Sequence, residues 1–133
     1  MTPRPIEILF DNERTQFEPG DELVGQFLIV PENAQTLRAV EVSVLWYTEG
    51  KGDEDMGVHH FERLDAQNGT SDLRRPIGFR TRLPNTPLSY QGAIVKILWC
   101  VRVRAFPHRG EDFVAEERFR LGNIAPIGPP VIS

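Results

Sequence analysis

The stretch AIVKILWCVRVRAF, residues 93–106, decides how this chain folds. Val95, Ile97, Trp99, Val101 and Val103 share one parity, while Lys96, Arg102 and Arg104 share the other. Successive side chains on an extended backbone point to opposite faces, so this spacing predicts a strand with one face buried and the other wet. A second stretch, residues 39–48, repeats the pattern: Val40, Val42, Val44 and Trp46 lie on one side, Glu41 and Ser43 on the other. Both are rich in the β-branched and aromatic residues that suit a pleated, half-buried surface.

Working outward, weaker strands are expected at residues 6–10, 23–30, 58–64, 77–83 and 113–121. Turn chemistry separates them. Pro19-Gly20-Asp21 precedes one strand, the segment 50–57 bridges the central pair, Asn68-Gly69 follows the next, and the segment 107–110 divides the last two. No window shows apolar residues at helical spacing between plausible caps. About seven strands alternating with turns predict an all-β fold, a two-sheet antiparallel β-sandwich, with a small closed barrel as the rival. The segment Ala125-Pro126-Ile127-Gly128-Pro129-Pro130 cannot pair in a central strand, because its three prolines lack backbone donors. The expected organisation is one domain over residues 1–124 and a Pro-rich tail over 125–133.

At 133 residues, the chain has room for a single core. No apolar run reaches the roughly 20 residues that span a bilayer, so no transmembrane segment is expected. The opening residues carry prolines and acids where a signal peptide needs an apolar stretch, which points to a cytoplasmic protein. The single cysteine, Cys100, cannot form an internal disulfide and fits a reducing compartment. The net charge of -4 is unevenly spread: acids dominate residues 1–73 and bases dominate 74–133, so a compact fold brings opposite signs together. With that net charge, only two lysines and few exposed aromatics, no nucleic-acid partner is expected.

Three pieces of the sequence resemble the amino-terminal domain of the arrestin fold, including the bacterial sporulation-control relatives of arrestins. Phe17-Glu18-Pro19-Gly20-Asp21 followed by Leu23-Val24-Gly25 is similar to that family's opening motif. The strand over residues 37–47 comes next. Then Leu83-Pro84 and Leu88-Ser89-Tyr90-Gln91-Gly92 lead into residues 95–105, similar to a family turn before a strand bearing Trp or Tyr. The resemblance covers residues 6–121 and matches one arrestin-type domain. It implies an immunoglobulin-like sandwich acting as adaptor or scaffold without an active site.

The matched residues also have local reasons to be there. Gly20 can take the positive φ of a Pro-Gly turn, and Gly25 within a strand indicates a bulge or a close approach. Tyr90 is expected to cap the sandwich with its ring and bond backbone through its hydroxyl.

The acidic loop Glu49-Gly50-Lys51-Gly52-Asp53-Glu54-Asp55, with His59-His60 beyond it, is a candidate calcium-type site, since hard cations need several converging oxygens. Glu49, Asp53, Asp55 and His59 would be its ligands, with Glu54 in reserve. The plainer reading is a solvated hairpin with no metal or other cofactor, and adjacent histidines on a strand point apart. Ser43, Ser71 and Ser89 sit in no nucleophile elbow. Cys100 is expected on the wet face beside Arg102, with no histidine fixed next to it. No catalytic residue is assigned.

Arginines spaced i, i+2 stand out: Arg80 and Arg82, Arg102 and Arg104, Arg118 and Arg120. On neighbouring strands they would form a guanidinium-rich face suited to an acidic protein segment. Cross-strand pairing with Glu41 and Glu116 would instead neutralise it. The expected function is non-enzymatic protein binding, as an adaptor or scaffold recognising an acidic or extended segment through this face or a sheet edge. A metal-dependent module at residues 49–60 is one alternative, and a self-associating homodimer is the other.

Overall fold

The structure, a computed structural model, describes residues 5–30, 37–66 and 73–122. The Pro-rich segment 125–133, the Asn68-Gly69 turn and Ser71 lie outside the described residues. The strands in chain order are β1 (Ile6–Phe10), β2 (Gln16–Phe17), β3 (Glu22–Ile29), β4 (Leu37–Gly50), β5 (Met56–Asp65), β6 (Ile77–Arg82), β7 (Tyr90–Gln91), β8 (Val95–Pro107) and β9 (Phe113–Leu121). A short 3-10 turn, Asp11–Glu13, follows β1. All seven strands read from periodicity are present. The two-residue strands β2 and β7 are additional, too short for an alternation to register.

The strands form two sheets. The smaller has the order β1-β3-β6, and the larger β2-β9-β8-β4-β5 with β7 paired to β8. Pairing is antiparallel except between β2 and β9, which run parallel. The fold is thus an all-β sandwich.

The inward parities meet between the sheets. Ile6, Ile8, Leu23, Phe27, Ile29 and Phe79 come from the small sheet, and Val40, Val42, Val44, Trp99, Val101 and Val103 from the large one. Four rings, Phe10, Phe17, Phe79 and Phe119, pack edge to face around Phe10 with centroid separations of 6.1–6.5 Å, an arrangement the ring quadrupole favours. Trp99 is 1% exposed and its Nε1 donates to the Pro87 carbonyl at 2.7 Å. Trp46 is partly buried at the margin of the same layer.

Gly25 makes the close approach that its place in a strand indicates. A Cβ there would lie 2.5 Å from the Leu9 carbonyl oxygen and 2.6 Å from Cζ of Phe79. The Pro19-Gly20-Asp21 turn has Gly20 at φ 86°. Its backbone is held by Leu83, whose carbonyl accepts from Gly20 N at 3.1 Å and whose N–H donates to Asp21 O at 2.8 Å. The Asp21 carboxylate accepts from Glu18 N at 2.8 Å and pairs with Arg14, and the backbone bond first and Arg14 second hold its pKa below the usual value. This motif closes the end of β3 and is structural.

Two expectations need correction. Cys100 does share a face with Arg102, yet it is fully buried. Its neighbours across the ladder are Leu45 and Arg118, and its thiol lies 3.5 Å from the Glu116 carboxylate. Burial, with Glu116 adding to it, pushes the thiol up from 9.0 to about 12 and outweighs the lowering by Arg102. Tyr90 is exposed, with its ring against Gly92. Ser89 does the sealing instead: its N–H donates to Leu121 O and its Oγ accepts from Leu121 N, each at 2.8 Å.

The raised thiol pKa gives a test. Cys100 is expected to react with a thiol reagent only as fast as the protein opens, and at full speed in denaturant. Because the folded value exceeds the unfolded one, the stability linked to this group is complete below about pH 9 and is lost as pH rises toward 12. Rapid labelling of the native protein at pH 8 would contradict the burial.

Candidate protein-binding face

The outer surface of the large sheet is set by register. Rows running across β5, β4, β8 and β9 read Arg63, Glu41, Arg104, Val114; then Phe61, Ser43, Arg102, Glu116; then Val58, Leu45, Cys100, Arg118. A further row joins Met56, Tyr47 and Leu98.

The six arginines do not gather on one face. Arg80 and Arg82 belong to β6 in the small sheet, on the other side of the sandwich from β8 and β9. Those on the large sheet are largely engaged. Arg102 pairs with Glu116 at 2.8 Å, and Arg118 lies 3.7 Å from Glu49. A hydrogen bond with Tyr47 is the main reason the Arg118 pKa is raised, and Glu49 adds to it. On the small sheet, Arg80 lies 3.6 Å from Glu22 and Arg82 donates to Gly20 O at 2.8 Å. Glu41 does pair, though with Arg63 of β5 at 2.9 Å. Several of these contacts join the acidic and basic halves of the sequence, and an acidic ligand would have to displace carboxylates already in place.

The acidic loop is a tight hairpin between β4 and β5. Asp55 N donates to Thr48 Oγ1 at 2.8 Å, and Asp55 Oδ1 accepts from Met56 N at 2.9 Å. His59 leaves the loop altogether: its Nε2 sits 2.7 Å from the Arg82 carbonyl oxygen, and its ring meets Trp99 edge-on at 6.2 Å. Among the described residues, no three His, Cys, Asp or Glu side chains come together as a metal cluster. Glu49, Glu54 and Asp55 instead border an open cleft of about 720 Å³ with Tyr47, Met56 and Arg102.

The residues that sequence reasoning passed over are on β5. Met56, Val58 and Phe61 are 50%, 54% and 53% exposed, all on the outer face. Val58 and Phe61 are three residues apart, a spacing that period-two reading assigns to opposite faces. A bulge reconciles them: Val44 pairs with His60 and Leu45 with Val58, leaving His59 as the extra residue. β5 is also the last strand of its sheet, and among the described residues no backbone bond reaches its far side.

No helix among the described residues is long and apolar enough to cross a membrane. No family model matches the sequence, and no curated protein sequence matches it. A solved structure does: that of Spo0M, a sporulation control protein from Bacillus subtilis, superposes with a TM-score of 0.58 at 13% identity. The match covers 90% of this chain and 49% of that one, so the chain spans about half the length of the protein it resembles. At that identity the likeness speaks for the fold, and the chain has the arrestin-like sandwich that its Pro-Gly-Asp turn and Trp-bearing strands led us to expect.

Proposed function

We propose that this chain is a non-enzymatic adaptor or scaffold domain with a regulatory role, and that it binds an extended protein segment along the free edge of β5. One observation carries the reading: three large apolar side chains, Met56, Val58 and Phe61, lie half exposed along a strand whose outer backbone has no partner among the described residues. A free edge offers main-chain hydrogen bonds to an incoming strand, and its side-chain rows supply selectivity. The arginine row is the weaker surface because most of its guanidinium groups already face carboxylates or backbone oxygens. The arrestin-like fold of Spo0M, named as a sporulation control protein, is in keeping with regulation.

The test compares two double variants of the immobilised chain. Val58→Lys with Phe61→Lys is expected to abolish specific capture while leaving the melting temperature nearly unchanged, because both positions are exposed. Arg102→Glu with Arg104→Glu is expected to retain capture. The opposite pattern overturns the edge reading and restores the arginine face.

A further inference from the structure

We infer that the partner strand taken by β5 is β5 of a second copy of this chain, run antiparallel about a two-fold axis at Phe61. The inference rests on the reading of β5 as a binding edge and names its occupant.

Symmetry restricts the possible registers. A two-fold axis normal to a sheet keeps each face on its own side, so directly opposed residues must share parity and the axis must pass through a residue. His59 is bulged, which limits straight pairing to residues 60–65. An axis at Glu62 sets two carboxylates against each other, and one at Arg63 does the same with two guanidiniums. An axis at His60 opposes two imidazoles and leaves no straight row beyond the axis, because Phe61 already meets the bulge. An axis at Leu64 pairs only residues 63–65 and leaves the exposed Phe61 outside the paired strands.

The axis at Phe61 satisfies the rows that straight pairing allows, Phe61 against Phe61 with His60 against Glu62 on either side, and Arg63 is the first residue to meet the bulge. The two phenyl rings stack on the outer face, removing apolar surface that is exposed in the single chain. On the other face His60 of each copy lies opposite Glu62 of its partner. These groups already form a pair within one chain, His60 Nε2 to Glu62 Oε1 at 2.8 Å, so a second copy extends it into a square of alternating imidazole and carboxylate groups. Aromatic pairs and hydrogen-bonded polar pairs are favourable cross-strand combinations, with opposed Cβ atoms about 5 Å apart.

Sedimentation of the full chain over a dilution series is the first measurement, with a reversible dimer as the expected result. Phe61→Glu places two carboxylates on the axis and should weaken the dimer by more than about tenfold, since like charges directly opposed are destabilising. His60→Glu should also weaken it, and His60→Glu combined with Glu62→His should restore it. Phe61→Cys should yield a covalent dimer on mild oxidation, while Arg63→Cys should not. A chain that stays monomeric throughout, or a dimer indifferent to Phe61→Glu, overturns the inference. If the chain is monomeric yet the lysine variant of β5 still loses capture of another protein, the inference fails alone and the edge reading stands.

Discussion

Replacing Trp99 with alanine is expected to cost about 3–5 kcal/mol, a large share of the roughly 5–15 kcal/mol that holds a domain of this size together. The indole is 1% exposed, packs tilted against Phe119 at 5.8 Å and meets His59 edge-on, so its removal leaves a cavity between the two sheets. It also orphans the Pro87 carbonyl, the acceptor for its N–H. Trp99→Phe separates the contributions: most of the apolar volume stays and the buried acceptor is left unpaired, for a loss of about 1–3 kcal/mol. Urea unfolding followed through Trp46 measures both. A loss under about 1 kcal/mol for the alanine variant would mean that the indole is not part of the packed layer.

Gly25→Ala is expected to be nearly as damaging, although it adds only a methyl group. The new carbon would sit 2.5 Å from the backbone oxygen of Leu9, and backbone cannot rotate away as a side-chain tip can. β1 would have to separate from β3, or Phe79 leave its place in the ring cluster; overpacking of this kind costs about 1–3 kcal/mol and at times more. We expect about 2–3 kcal/mol, a fall in Tm of about 10 °C. Gly20→Ala is the internal control. There a methyl meets nothing within 4 Å, and only the positive φ opposes it, so the loss should stay near 1 kcal/mol. Equal losses at the two positions would refute the steric account of Gly25.

What could be read in the sequence follows from how each feature is encoded. β4 and β8 announce themselves because they lie in the middle of the large sheet, where one face must be apolar for many residues in succession. Cys100 deceived the same pattern. It has polar-face parity, yet it is fully buried between its ladder neighbours Leu45 and Arg118, and parity alone does not report burial. The arginine pairs were legible as pairs, whereas the assignment of β6 to the other sheet is a matter of topology that spacing does not carry. The exposed row on β5 was hidden by a single bulged residue, since one insertion flips every later side chain in a period-two reading.

The pairing of Gln16 and Phe17 with Arg120 and Leu121 bears on how the molecule comes into being. A chain leaving the ribosome exposes Phe17 long before residue 121 is synthesised, and the β2 segment must wait for it. Folding is therefore completed only after nearly the whole of this sandwich has emerged, and the pairing closes one of its longest loops. Nascent forms lacking β9 would expose aromatic surface to their neighbours, which makes them the species most dependent on chaperones.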